Sequence, residues 1–299
     1  MRELILITLL LIIAISSGAQ GQPAPEALTC RGEQLQQAGS GYAFTEGPSV
    51  DRDGRVFFTD QPNDMIYVWD EKSGIALFKE NCERANGTWF DRNGNLLACA
   101  DLHNSIIKIT PSGELITMYD KGFGGAHLNG PNDLWQDSNG GIYFTDPYFH
   151  RDYWEAGHKQ EQDIQAVYYL KPSGELVRVI EDLRVPNGIT GTPDGKFLFV
   201  ADMMGRATWK YTINPDGSLS NKILFAPSGS DGMTIDEQGN IYLTAGRVLV
   251  YDSEGEKIGE IGLPEAPTNV CFGGKKRNIL FITARTSVYT LKMRVKGVE

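Results

Sequence analysis

The stretch DRDGRVFFTD (residues 51–60) decides the fold, because close copies of it recur along the chain. The copies are DRNGNLLACAD from Asp91, DSNGGIYFTDP from Asp137, TPDGKFLFVAD from Thr192, DEQGNIYLTAG from Asp236 and a weaker GGKKRNILFITAR from Gly273. Each places a polar turn containing Gly before a short strand rich in β-branched and aromatic residues. A second apolar segment follows every copy, and four of the six then run into a further turn and strand, as in TPSGELITMY. The repeating unit is therefore a small antiparallel sheet.

The spacing of the repeats indicates the architecture. The turn glycines stand at 54, 94, 140, 195 and 239, so successive units are 40, 46, 55 and 44 residues apart. A propeller blade of four strands occupies roughly 40–50 residues. No long helical period interrupts the 299 residues, which disfavours α/β alternatives. We therefore predict an all-β fold, a single six-bladed β-propeller.

The sixth unit is one strand short. Its apolar segments lie near Asn269–Phe272, Ile279–Thr283 and Val288–Met293, after which the chain ends. Residues from about 27 to 40 precede the first blade and have no other place to pair. We expect them to supply the missing outer strand and close the ring, which removes an exposed sheet edge.

The first residues are predicted to lie outside this domain. LILITLLLIIAI (residues 4–15) is too short to span a bilayer, which takes about 20 apolar residues. The small residues Ser17 and Ala19 follow at the spacing of a signal-peptidase site. The sequence predicts a signal peptide over residues 1–19, a propeller domain over residues 20–299, and a secreted or periplasmic protein without membrane contact after cleavage. An uncleaved membrane anchor is the alternative.

Composition excludes several classes of function. The protein has 28 Lys and Arg against 38 Asp and Glu, a formal net charge of -10, with no basic run, so nucleic acid is not an expected partner. Secretion permits disulfides, and the four cysteines, Cys30, Cys82, Cys99 and Cys271, allow three pairings that the sequence does not separate. Their spacing is not that of structural zinc. Nothing in the sequence decides the oligomeric state.

A polar residue stands five positions before the start of each turn, where a propeller's innermost strand leaves one mouth of the central channel. The six are Glu46, Asn86, Asn132, Asn187, Asp231 and Asn269. Two carboxylates and up to four amide oxygens suit a hard divalent cation, Ca²⁺ above all, with Mg²⁺, Mn²⁺ and Zn²⁺ as alternatives. Asn, Asp and Gly also simply suit turns, but Glu46 is a poor turn former. The pattern favours a metal site.

These motifs resemble a known family. Glu46-Gly47-Pro48, Pro131-Asn132-Asp133, Pro186-Asn187-Gly188 and Asp231-Gly232-Met233 are similar to signature positions of the gluconolactonase/regucalcin (senescence marker protein) family, in the same order. Its members are six-bladed propellers with a divalent cation in the channel, and many hydrolyse sugar lactones. The resemblance implies that Glu46, Asn187 and Asp231 hold the metal. It also implies that Asn132 binds metal or substrate and that Asp231 is catalytic.

The chain departs from this pattern at two positions. Animal members carry an Arg two residues before the position of Asn132, where this chain has Gly130 in the loop HLNGPND with Asn129. His150 stands where they have an acidic residue. Both differences bear on which lactone is preferred.

The connections between second and third strands are expected at the same channel mouth. They carry His103 and His150, which we treat with Asn129 and Asn132 as candidate substrate contacts, although solvated loop histidines would look the same. The third connection, residues 147–165, is far longer than the others and rich in aromatics. It is typical of a lid, or of a loop that packs on the neighbouring blade.

The parts predict a secreted, metal-dependent lactonase, a carboxylic-ester hydrolase acting on a small lactone. The cation would polarise the carbonyl, and Asp231 would act as general base on water or as nucleophile. No G-x-S-x-G elbow is present, which disfavours a serine hydrolase. Two alternatives are phosphotriester hydrolysis at the same site, and a non-catalytic propeller that binds a sugar or a protein.

Overall fold

The computed structural model describes residues 27–155 and 159–298. These residues form 24 β-strands and one short 3-10 helix, Gln61–Asn63. The strands in chain order are β1 Gln36–Ser40, β2 Thr45–Val50, β3 Val56–Asp60, β4 Met65–Asp70, β5 Gly74–Glu80, β6 Ala85–Phe90, β7 Leu96–Ala100, β8 Ser105–Ile109, β9 Leu115–Tyr119, β10 Leu134–Gln136, β11 Ile142–Asp146, β12 Ala166–Leu170, β13 Leu176–Ile180, β14 Pro186–Gly191, β15 Phe197–Asp202, β16 Ala207–Ile213, β17 Leu219–Ala226, β18 Met233–Ile235, β19 Ile241–Thr244, β20 Val248–Tyr251, β21 Lys257–Ile261, β22 Asn269–Gly273, β23 Ile279–Ala284 and β24 Ser287–Lys292.

The strands assemble into six antiparallel sheets of four. Five sheets take four consecutive strands each, from β2–β5 for blade 1 to β18–β21 for blade 5, and blade 6 combines β22–β24 with β1. The innermost strands β2, β6, β10, β14, β18 and β22 each contact the next, and β22 contacts β2. This closed ring confirms the predicted six-bladed propeller.

The N-terminal segment closes the ring as expected. β1 pairs antiparallel with β24, from Gln36 opposite Thr290 to Ser40 opposite Ser287. Leu28, further upstream, is buried in the core of the last blades. The first and last parts of the domain are therefore held together in one sheet, and the outer edge of β24 is covered.

The repeated Asp and Gly have a local cause. Asp51 Oδ1 accepts the backbone N–H groups of Asp53 and Arg55 at 3.0 and 2.9 Å, which ties the turn into the following strand. Gly54 adopts φ +87°, a conformation that disfavours larger residues. The turns after Asp91, Asp137 and Asp236 use the same carboxylate contacts. These strings are hairpin turns.

The core lies between the blades. The second strands of the blades are buried on both faces, and the largest buried side chains include Phe58, Tyr143, Tyr168 and Tyr242. Each hydrophobic cluster joins neighbouring blades, as where Leu97 of blade 2 packs with Phe144 of blade 3. This stacking fixes the distances between residues at the channel mouth.

All four cysteines are free thiols, so none of the three conceivable pairings forms. Cys82, Cys99 and Cys271 are buried in three different clusters. Cys30 donates from Sγ to the Met293 carbonyl oxygen at 3.2 Å. The stability of the domain therefore comes from packing and sheet pairing.

The predicted signal peptide, residues 1–19, falls outside the described residues and stays a prediction. Within the described ranges, no helix is both long enough and apolar enough to cross a bilayer.

Candidate functional site

The predicted ring of polar residues surrounds one mouth of the channel. Each of the six stands in the first part of an innermost strand or just before it: Glu46, Asn86, Asn132, Asn187, Asp231 and Asn269. All except Asp231 are buried, and Asp231 is partly exposed. The fold thus brings together residues that are far apart in sequence.

The glycines that follow four of these residues let adjacent blades approach closely. A Cβ atom at Gly47 would lie 1.9 Å from the Asn86 carbonyl oxygen, and one at Gly188 would lie 2.7 Å from the Asp231 carbonyl oxygen. A larger residue would force the inner strands apart. Of the four, only Gly47 has a positive φ, so at Gly87, Gly188 and Gly232 close approach is the constraint.

Glu46 is a desolvated carboxylate at the mouth, 5% exposed. Its Oε2 accepts the Gly47 N–H at 2.8 Å and the Asn269 Nδ2–H at 3.0 Å. Burial raises the pKa of Glu46 to about 7, although both hydrogen bonds and the charge of Arg151 act in the other direction. These contacts therefore offset only part of the cost of burying ionised Glu46.

Asp231 is the second carboxylate of the mouth. Its Oδ1 accepts the Asn187 Nδ2–H at 2.8 Å. Burial and the charge of Glu46 raise its pKa well above the usual range, while Asn187 and Arg151 oppose this rise. Two neighbouring carboxylates whose pKa values are both raised would be stabilised in their ionised forms by a bound cation.

Two amide oxygens beside these carboxylates are buried without a donor. They are the Oδ1 atoms of Asn86 and Asn187. Leaving a buried acceptor unpaired costs roughly 1–3 kcal/mol, so such atoms call for a ligand or water. Carboxylate and amide oxygens are the ligands of hard divalent cations. The residues present therefore fit the expected metal.

The other two ring positions differ in their contacts. Asn269 Oδ1 accepts the backbone N–H of Val270 at 2.8 Å, and Asn269 Nδ2 donates to Glu46. Both ends of this side-chain amide are therefore hydrogen-bonded. Asn132 is 7% exposed. Over residues 27–155 and 159–298, no cluster of three or more His, Cys, Asp or Glu side chains could hold a metal. A site built from two carboxylates and amide oxygens does not require such a cluster.

Asp133 is a site residue that the sequence reasoning missed. It is 7% exposed, and its two carboxylate oxygens accept the N–H groups of Leu134 at 3.0 Å and Ile189 at 3.3 Å. Burial and the charge of Glu46 raise its pKa well above the usual range. The sequence contains a sign of it, because the ring residue is followed by Gly in four blades but by Asp in blade 3. The third carboxylate adds to the negative potential in the channel.

A cavity of about 450 Å³ opens beside Asp231, formed by blades 4 to 6 and the segment before blade 1. Its lining includes Phe44, Met203, Arg206, Asp231 and Arg285. Met203, Arg206 and Arg285 belong to connections between second and third strands, as expected for this face. Small-molecule sites are typically 300–1,000 Å³, so the cavity is large enough for a monosaccharide-sized ligand.

The predicted substrate residues lie at different depths. Asn129 is 1% exposed, and its Nδ2 donates to the carbonyl oxygens of Asp146 at 3.2 Å and Ile164 at 3.0 Å. These bonds tie the two ends of the long third connection to the blade, while Asn129 Oδ1 stays unpaired. His103 and His150 are exposed, and neither imidazole makes a hydrogen bond or ion pair to the part of the chain that the structure describes. Neither lines the cavity.

The described part of the third connection packs on blade 2. Trp154 Nε1 donates to the Asp101 carbonyl oxygen at 2.7 Å, and Tyr153 OH donates to Asp101 Oδ1. Arg151 Nε forms an ion pair with Asp101 Oδ2 at 2.8 Å. Of the two expectations for this loop, the arrangement matches packing on the neighbouring blade.

Comparison with known proteins agrees with this architecture. The family model of the SMP-30/gluconolactonase/LRE-like region matches residues 44–286. A gluconolactonase of Zymomonas mobilis is 26% identical, over 92% of this chain and 85% of its own length, and lactonase drp35 of Staphylococcus aureus is 27% identical, over 73% and 69%. The solved structure of a gluconolactonase from Xanthomonas campestris superposes with a TM-score of 0.84 at 25% identity, covering 92% of this chain and 96% of that one. Since the matched region spans five blades and part of the sixth, the chain belongs to the SMP-30/gluconolactonase/LRE-like family.

Proposed function

We propose that this protein is a metal-dependent hydrolase of a small lactone. One observation carries the proposal: two carboxylates with raised pKa values, Glu46 and Asp231, share a channel mouth with unpaired amide oxygens. The relatives named gluconolactonase and lactonase support the same reaction class.

Glu46, Asn187 and Asp231 would hold the cation, with Asn132 as a further ligand or a substrate contact. Ca²⁺ fits this oxygen set best, and Mg²⁺, Mn²⁺ or Zn²⁺ are the alternatives. When bound, the cation supplies Lewis-acid polarisation of the lactone carbonyl. Asn86 Oδ1 is an additional candidate ligand, because it is buried without a donor.

The difference in exposure supports different roles for the two carboxylates. Asp231 lines the cavity, whereas Glu46 is 5% exposed and held by two hydrogen bonds. Only Asp231 can therefore reach a molecule in the cavity. Glu46 would contribute a negative charge and a carboxylate ligand to the cation.

Asp231 acts as the general base in the proposed reaction. It accepts a proton from water as the water oxygen bonds to the lactone carbonyl carbon. The bond between that carbon and the ring oxygen then breaks, the ring oxygen takes up a proton, and the product is the open hydroxy acid. Asn187, which donates to Asp231 Oδ1 at 2.8 Å, fixes the carboxylate's orientation.

Location is the remaining part of the proposal. The apolar run of residues 4–15 followed by Ser17 and Ala19 supports export to the periplasm or the exterior. Comparing the N-terminal residue of the exported protein with residue 20 tests this directly.

The experiment is a pH-stat assay on a panel of lactones, a phosphotriester and a simple ester, with wild type, Asp231→Asn and Glu46→Gln. We expect lactone hydrolysis by wild type and at least about a hundredfold loss in both variants. Asp252→Asn is the matched control, because Asp252 caps an outer turn of the same blade through the N–H groups of Glu254 and Glu256. Full lactonase activity in both site variants would refute the mechanism. Turnover of the phosphotriester alone, or of nothing, would favour the phosphotriesterase or the binding propeller.

A further inference from the structure

In three blades an aspartate ends the second strand, and in blade 2 an aspartate directly follows it and has a different role. Asp60 accepts the N–H groups of Ala43 and Phe44, at 3.0–3.2 Å, just before the first strand of its own blade. Asp146 and Asp202 accept the N–H groups of the equivalent residues in blades 3 and 4, at 2.8–3.0 Å. In these blades the carboxylate is a structural clamp.

In blade 2 this clamp is made by another residue. The equivalent N–H, that of Arg84, donates at 2.7 Å to Asp64 Oδ1 in the preceding blade. Asp101, which directly follows β7, therefore does not accept this backbone N–H. It nevertheless remains 1% exposed, and an ionised carboxylate at that depth requires other donors.

The donors to Asp101 come mainly from the loop of blade 3. Asp101 Oδ2 accepts Gln61 Nε2–H at 2.7 Å and Arg151 Nε–H at 2.8 Å, while Oδ1 accepts Tyr153 O–H. With Trp154 bonded to the Asp101 carbonyl oxygen, three side chains of one four-residue segment converge on a single residue. The segment is therefore fixed against the neighbouring blade.

This anchorage leaves part of Arg151 available. The ion pair uses Nε, and the two terminal nitrogens make no hydrogen bond to any residue in the described ranges. The side chain is 21% exposed. Asp101 begins the connection between β7 and β8, and the equivalent connections of blades 4 and 6 line the cavity beside Asp231. The ion pair with Asp101 therefore places the Arg151 guanidinium on the face of the channel mouth.

Trp154 fills the space beside Gly130. A Cβ atom at Gly130 would lie 3.5 Å from Trp154 Cη2, so the indole occupies the place toward which a side chain at position 130 would extend. A Cβ atom at that distance is in ordinary van der Waals contact with the indole, so the loop packs directly against the segment that leads to Asn132. The loop delivers its own guanidinium, that of Arg151, toward the same mouth.

We propose that Arg151 is a substrate-binding residue that sets specificity for hydroxylated lactones, and that Asp101 is its positioning residue. The terminal nitrogens of Arg151 donate to hydroxyl oxygens of a lactone in the channel mouth. Asp101 balances the charge of Arg151, which favours a neutral polyhydroxylated ligand over an anionic one. The inference rests on the proposed lactone hydrolysis and names the substrate feature that is recognised.

The test compares two lactones with the same six-membered ring, glucono-δ-lactone and the unsubstituted δ-valerolactone. For Arg151→Met we expect the KM for gluconolactone to rise at least about tenfold with kcat within about threefold, because a charged donor to the hydroxyls is lost. The kcat/KM for δ-valerolactone should stay within about twofold of wild type. Arg151→Lys should restore part of the binding, and Asp101→Asn should raise the gluconolactone KM in the same direction. Asp60→Asn, the equivalent clamp in blade 1, should leave the ratio between the two lactones unchanged.

Equal effects of Arg151→Met on both lactones, or no effect on either, would overturn the inference while leaving lactone hydrolysis intact. A wild-type protein that hydrolyses neither lactone would instead refute the proposed function, and the inference would fall with it.

Discussion

Replacing Gly188 by Ala tests whether close approach of blades 4 and 5 builds the site. The new Cβ would lie 2.7 Å from the Asp231 carbonyl oxygen and 3.0 Å from Gly232 Cα. Relief of that overlap requires a shift of roughly 0.5 Å between the inner strands, and overpacking of this kind costs about 1–3 kcal/mol. Because Asp231 moves with its backbone, its 2.8 Å hydrogen bond from Asn187 is also lengthened.

Both stability and catalysis should respond. A displacement of about 1 Å in a catalytic group can cost about a hundredfold in rate, so we expect kcat/KM for lactone hydrolysis to fall about tenfold. The affinity for Ca²⁺, measured by isothermal titration calorimetry, should fall with it. Gly140→Ala is the control, since Gly140 has φ +90° with nothing within 4 Å of its Cβ position. It should lower stability through backbone strain and leave kcat/KM unchanged. If Gly188→Ala keeps wild-type kcat/KM and cation affinity, close approach is not what assembles the site.

Three further outcomes are expected. Deleting residues 22–40 removes β1 and uncovers β24, so the Tm measured by calorimetry should fall by about 5–10 °C, and an unchanged Tm would contradict ring closure by this strand. Burial raises the pKa of Asp146 to about 7, so the folded protein retains a proton that the unfolded chain releases near pH 4. The contribution of this group to the free energy of unfolding is complete below about pH 4. It decreases by up to about 4 kcal/mol as the pH rises to about 7. In Asp146→Asn the free energy of unfolding, measured with urea, should change less with pH over that range than in wild type. The same pH dependence in both proteins would contradict this prediction. Removing divalent cations with a chelator should lower the Tm of wild type more than that of Glu46→Gln, because cation binding stabilises only a protein that holds the site.

The architecture could be predicted from the sequence because its signal is local and repeated. The turn beginning at Asp51 recurs with Gly at a fixed offset, and each repeat demands the same hairpin. The missing outer strand of blade 6 likewise pointed to the segment that became β1. The ring residues were found because one address in each repeat maps to one place in the fold.

The residues of the site that the sequence did not predict depend on contacts between blades. The Asp133 carboxylate accepts the backbone N–H groups of Leu134 and Ile189, and its proximity to Glu46 follows from packing across the channel. Arg151 meets Asp101 only because the third connection turns back over blade 2. No periodicity in the sequence specifies where a long irregular loop packs. The same holds for His103 and His150, whose loops reach the expected face without bringing the imidazoles to the cavity.

The most direct measurement is the initial rate of lactone hydrolysis by chelator-treated protein before and after Ca²⁺ is added, with Asp231→Asn in parallel. If Glu46, Asn187 and Asp231 form a cation site that serves catalysis, the rate should fall to background after chelation and return with Ca²⁺ in wild type alone. An unchanged rate in the stripped wild-type protein, or full recovery in Asp231→Asn, would contradict it.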